Sequence, residues 1–339
     1  MIKFFRKIRY DLMEKNKTGK YFKYAIGEII LVVIGILIAL SINNKNEQKK
    51  SEAKIDNILV GVLNELSRDI ESSTNLILAY RKVDSLSSKV LNNEVTILDY
   101  QNDNTLSLSH LVIQHSTFET GNNSYNLLMN NVNDIPDKYN AIVSELNNLH
   151  TQIRPNLIRY NNIVADLNDR NITDFEENYS WFSELKENRK SDDAFHYMLT
   201  DYKYKNKVSR FRNEAFESHG HYIAQYRIQA IKIYKQISES LNKSYNSVNF
   251  ISNDSKLKKF EGLYSNDSDR IFNVTVNTSD GELKVSDKKN VELTNLRILA
   301  SEFIFFDYEF LSIVRFNKNS SSEIISMTIF IHKEHMLVC

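Results

Sequence analysis

The chain has 339 residues, with 43 lysines and arginines against 43 aspartates and glutamates. That length supports an anchor plus one or two folded domains, and the even charge excludes a nucleic-acid binder by composition. The one cysteine, Cys339, excludes an intrachain disulfide and a thiolate metal cluster, and two prolines with eight glycines favour long helices.

The first element is a membrane span. Ala25 to Ile42 is apolar except for Glu28 and Ser41, and at the helical rise it reaches about 27 Å, the thickness of a hydrocarbon layer. Residues 1–23 carry Lys3, Arg6, Lys7, Arg9, Lys15, Lys17, Lys20 and Lys23 against Asp11 and Glu14, which predicts a cytoplasmic amino terminus. Lys45, Lys49 and Lys50 weaken the contrast without reversing it. A cleaved signal peptide is the competing reading, from the small residues Ala39 and Ser41. These sit inside the run instead of after it, so a retained signal anchor is favoured. The arm before the span either lies along the inner leaflet on Ile2, Phe4, Phe5, Ile8 and Leu12 or is an unstructured basic flank.

Within the span, Glu28 requires headgroups, a cation such as Lys20 or Lys23, or a helix partner. Gly35 and Ala39 form a small-xxx-small pair that permits close helix approach. Glu28, Gly35 and Ala39 are therefore the candidate residues for lateral association in the membrane.

Beyond the span, Ile55, Leu59, Val62, Leu66, Ile70, Ile77, Tyr80 and Val83 recur at helical steps. Their drift from a strict heptad favours a bundle helix over a coiled-coil stalk. Further helices are predicted over 107–131, over 137–169 with an interruption at Pro155, and over 192–245, with a polar loop at 169–177. Asp192 and Asp193 complement the N-terminus of the last of these. From about Ser252 the pattern alternates. Phe272, Val274 and Val276 lead through the turn Ser279-Asp280-Gly281 to Leu283 and Val285. More strands are predicted over 291–299, 303–306, 311–317 and 323–331, with a loop at Asn319 to Ser322.

The fold class is thus mainly α with a C-terminal β domain. The expected division is a basic cytoplasmic arm at 1–23, a transmembrane helix at 24–44, an extracytoplasmic helical bundle at 45–250 and a small antiparallel β domain at 251–339.

Met1–Arg9 (MIKFFRKIR), Tyr24–Ile29 (YAIGEI) and Val32–Asn44 (VVIGILIALSINN) together resemble the amino-terminal signature of an uncharacterised family of single-pass membrane proteins from Gram-negative bacteria. Tyr125-Asn126-Leu127-Leu128 resembles a second segment of that family, with Asn130 and Asn131 where Ser-Gly is usual. Ser41 and Lys45 replace the usual glutamine and tryptophan. The resemblance implies an inner-membrane protein with a helical periplasmic region, and no activity. Phe260 to Tyr264 and Asp280 to Leu283 resemble the small β domain appended to many bacterial serine hydrolases, a likeness that covers no catalytic residue.

Ser51-x-x-Lys54 and Ser183-x-x-Lys186 match the spacing of a serine acyl-enzyme nucleophile. The same spacing recurs at Ser240, Ser255 and Ser286, and the accompanying Ser-Asp-Asn and Lys-Thr-Gly elements are absent beyond the membrane. His219 and His221 diverge on a helix, and His332 with His335 lacks an acidic pair, so packed or surface histidines are expected and no metal site is assigned. Tyr179, Trp181, Phe182, Phe195, Tyr197, Tyr202 and Tyr204 are expected to pack between helices in preference to lining a ligand cleft.

The expected function is a non-catalytic, membrane-anchored scaffold or accessory protein of the bacterial envelope. Its expected partners are the lipid bilayer and a protein partner or second copy, met through the membrane helix and bundle; no cofactor and no nucleic acid are expected. The alternative is a periplasmic small-molecule sensing module. Its 23-residue cytoplasmic arm holds no signalling domain, so any signal passes through a membrane partner.

Overall fold

The computed structural model describes Arg6, Tyr10 and residues 18–243, 257–265, 271–277, 282–287, 289, 291–301, 304–307, 312–321, 323–330 and 337–338. Most of the basic arm, the turn at Ser279 to Gly281, Ser255, His332, His335 and Cys339 lie outside the described residues.

The first helix, α1 (Thr18–Leu91), runs 74 residues without a break, about 110 Å at the helical rise. It contains the apolar run and then continues as the central strut of the bundle. Among its described side chains the first buried apolar residue is Ile55. Seven of the eight positions expected to face the core are buried, and Val83 packs at the margin. The helix ends in a Schellman motif: Glu94 N–H donates to Lys89 O at 2.9 Å and Asn93 N–H to Val90 O at 3.2 Å, with Asn93 at φ 60°.

The short helix α2 (Ile97–Asn102) opens on a Thr96–Asp99 capping box. The helix expected over 107–131 is present only at its end, as α3 (Asn123–Met129). Residues 103–122 instead follow turns and extended backbone whose polar groups are taken by side chains. Asp103 accepts from Thr105 N and Leu108 N. Asn161 both donates to Phe118 O and accepts from Phe118 N, each at 2.9 Å. Asn171 donates to Val112 O, and Asp69 accepts from Gly121 N. Tertiary partners for the backbone outcompete helix formation here.

The path predicted over 137–169 begins with a single turn, Asp137–Tyr139, and continues through α4 (Asn140–Asn148). A π-helical stretch at Leu149–Ile153 then leads into α5 (Arg154–Asn178). Pro155 falls in the first turn of α5, just after the π stretch, where a missing N–H is tolerated. The loop expected at 169–177 is helical, because fully buried Phe175 and the buried amides Asn168 and Asn171 hold α5 in the core. Polar residues on a buried helix face imitate a loop in sequence.

The short α6 (Phe182–Lys186) precedes α7 (Asp192–Thr200) and α8 (Tyr202–Arg212). The helix expected over 192–245 is divided at Asp201, which adopts extended backbone and caps α8 by accepting from Lys203 N. A second π stretch, Asn213–His219, joins α8 to α9 (Gly220–Ser240). Asn188 after α6 and Asn242 after α9 repeat the left-handed Schellman turn of Asn93.

The β region is an antiparallel meander in which each strand pairs with the next. Its strands are β1 (Gly262–Ser265), β2 (Ile271–Asn277), β3 (Glu282–Asp287), β4 (Glu292–Ser301), β5 (Ile304–Asp307), β6 (Ser312–Lys318), β7 (Ile324–Phe330) and β8 (Leu337–Val338). The alternating residues meet as expected: Phe272, Val274, Leu283, Val285, Leu296, Val314, Phe316 and Met327 form one buried cluster under Phe260. Leu299 of β4 and Ile313 of β6 pack in the helical core instead. There Arg227 of α9, with no exposed surface, donates through Nη2 to Ile298 O at 3.0 Å and Leu299 O at 3.1 Å.

Candidate functional site

Two regions carry functional potential: the apolar end of α1, and a cleft farther along the same helix.

Between Ile26 and Ile42 every large apolar side chain is 46–63% exposed. An aqueous surface rarely tolerates so long a band, and the segment is long and apolar enough to cross a membrane. A Cβ added at Gly27 or Gly35 meets no atom within 4 Å. Glu28 is half-buried and makes an interaction of its own. On a straight helix Glu28, Gly35 and Ala39 lie within about 40° of one another, one stripe of carboxylate and small residues. The structure thus brings the three sequence candidates onto one side of the rod.

Beyond Ile55, α1 meets the rest of the bundle through a ladder of acids. Tyr139 Oη donates to Asp56 at 2.5 Å, Ser124 N and Oγ to Glu65 at 3.1 and 3.0 Å, and Tyr226 Oη to Asp69 at 2.6 Å. Burial raises the Asp69 carboxyl despite these donors. Arg81 and Arg212 converge on buried Asp84 at 3.1 and 2.8 Å. Gly61 and Gly121 permit the close approach, since a Cβ at Gly61 would meet Ser124 Oγ at 2.6 Å and one at Gly121 the Glu65 side chain at 2.9 Å.

Between Leu76–Leu86 of α1 and Ser107–Ser116 lies a cleft of about 500 Å³. Its floor is apolar, from Leu76, Leu86 and Ile113, and its rim carries Lys82, Ser107 and His115. Lys82 Nζ donates to Ser107 Oγ at 2.7 Å. Tyr80 forms the inner wall, its hydroxyl 2.7 Å from His219 Nδ1. His219 has no exposed surface, and its Nε2 has no hydrogen-bond partner. Burial, then the nearby His115 charge, pulls His219 down to about 4, and burial pushes the Tyr80 phenol up. The pair is therefore neutral at physiological pH, so positive charge resides at the rim and not in the wall.

The cleft is hidden in the sequence because its two walls lie about thirty residues apart and one of them carries a helical pattern. The available signal was Asp103-x-Thr105, a turn-forming pair at the head of the segment.

The remaining candidates resolve as packing or surface. Trp181, Phe182, Phe195, Tyr197 and Tyr204 are buried, and Phe175 sits edge-on to Trp181, Phe182 and Tyr197, whereas Tyr202 is exposed. His219 is buried and His221 exposed on opposite sides of one helical turn, as their spacing requires. Ser51 donates to Asp134 O at 2.9 Å and Lys54 pairs with the Asp134 carboxylate at 3.2 Å, so these two side chains turn to a surface loop. Lys17-Thr18-Gly19 does spell a Lys-Thr-Gly element; it precedes the apolar run, and its Thr18 lies about 50 Å of helix from Ser51. Among the described residues no group of three or more His, Cys, Asp or Glu is placed to hold a metal ion.

Comparison of the chain with family models, with curated proteins and with solved structures finds no match.

Proposed function

We propose that this chain is a membrane-anchored scaffold or accessory interaction protein of the bacterial envelope, its amino terminus cytoplasmic and its bundle and β domain periplasmic. The observation that carries the reading is the continuity of α1. One helix supplies both the exposed apolar band and the strut on which the bundle is hung, so the body is held at the membrane without a linker. The lysine and arginine bias of residues 1–23 supports the orientation, and the amino-terminal family resemblance supports the same placement. The Glu28–Gly35–Ala39 stripe supports lateral contact with a second membrane helix.

Reporter fusions at Cys339 test the orientation: periplasmic activity is expected, and a cytoplasmic signal overturns it. Gentle detergent extraction followed by pull-down is expected to recover defined protein partners, whereas a lone monomer in every preparation removes the scaffold reading. Glu28→Leu is expected to reduce crosslinked complexes in membranes.

The cleft favours a second reading, a ligand-sensing module that signals through a membrane partner. A metabolite screen by thermal shift on the full chain separates the two. A sensor is stabilised by its ligand and a scaffold is not.

A further inference from the structure

The α1 cleft combines features that specify a ligand class, which deepens the sensing reading and rests on it. Its volume of about 500 Å³ suits a molecule of roughly ten to fifteen heavy atoms within the usual range of ligand pockets. Its lining is amphiphilic: Leu76, Val83, Leu86 and Ile113 give it an apolar side-chain surface, and Lys82, Ser107 and His115 stand at its more exposed edge. Among the described residues no carboxylate lines it. Asp103 is near enough to feel Lys82, but its oxygens already accept from Thr105 N, Thr105 Oγ and Leu108 N. Lys82 is exposed and uses one proton on Ser107, leaving two of its three donors to face a guest. Tyr80 of the wall is backed by His219, and Lys82 is the one lysine or arginine among the described lining residues.

We infer that this cleft binds a small anionic amphiphile, its carboxylate or phosphate head on Lys82 at the rim and its chain along the Leu76–Leu86–Ile113 floor. A neutral amphiphile forfeits the charge-assisted bond, and a compact polar anion forfeits the floor.

The test uses the full chain in lipid nanodiscs with a diazirine-bearing decanoate, with decanoate, decyl phosphate and decanol as competitors. Saturable labelling within residues 76–86 and 107–116 is expected, displaced by decanoate or decyl phosphate and not by decanol. Whichever of the two competes better identifies the head group. Lys82→Gln is expected to weaken labelling about tenfold, Lys82→Arg to retain it, and Ala79→Trp, at an exposed position on the cleft wall, to block it without unfolding the bundle. Labelling confined to residues 25–42, equal competition by decanol, or undiminished labelling of Lys82→Gln overturns the assignment. If one of these occurs while some other metabolite stabilises the protein in the thermal screen, this ligand class falls and the sensing reading stands.

Discussion

Asparagine does glycine's work at three helix ends. Asn93, Asn188 and Asn242 adopt φ of 60°, 55° and 52°, the left-handed region in which a β-carbon crowds the carbonyl and which asparagine tolerates better than most residues. Asn93→Ala is expected to cost about 1 kcal/mol and Asn93→Gly close to nothing, read as the shift in urea midpoint. Half-buried His150 and buried His219 set a pH limit of their own. His150 stacks on Tyr125 at 3.9 Å and is pulled down to about 4 by burial first and the Arg154 charge second; His219 reaches about the same value. A histidine whose folded pKa lies below its unfolded value stabilises the fold in its neutral form. That contribution is intact above about pH 6.5 and is lost progressively as the pH falls toward 4, by roughly 3 kcal/mol for each ring. His150→Phe keeps the stack and removes the titration, so its stability is expected to fall less than that of the wild type over this window. Parallel curves for the two proteins would contradict the assignment.

Among the elements, the irregular segment 103–122 is held by its neighbours and not by its own ladder. Asn161→Leu keeps similar bulk while leaving the N–H and C=O of Phe118 unpartnered, at an expected cost of about 2–3 kcal/mol. Hydrogen exchange is expected to accelerate at Phe118 well beyond any change in α9. The same segment explains why α1 was legible in the sequence and its partners less so. Ile55 to Tyr80 announce a core-facing stripe by spacing alone, and the β2, β3 and β7 alternations announce their strands. Asn161 and Asn171 face inward because they serve backbone groups in a distant part of the chain, a role that no local pattern records. The break at Asp201 was similarly hidden, since an N-capping aspartate inside a long polar run resembles any other surface acid.

At the scale of the molecule, the bundle and the meander are joined by Arg227, which reaches from α9 to two carbonyls of β4. Arg227→Leu is expected to destabilise this junction by about 2–4 kcal/mol and to raise hydrogen exchange in residues 292–301 ahead of the helices. Uniform loosening of both parts would deny it a joining role. The apolar band was readable from sequence because a segment able to cross a membrane must be apolar over consecutive residues. The cleft was not, since the turns of 103–116 are set by long-range contacts.

From Asn43 to Lys50 the first helix stands clear of the packed body, about two turns of bare shaft. A stiff shaft fixed to its load transmits torque. A roll or tilt imposed on the apolar end is therefore expected to reappear as a swing of the bundle mounted on the same helix.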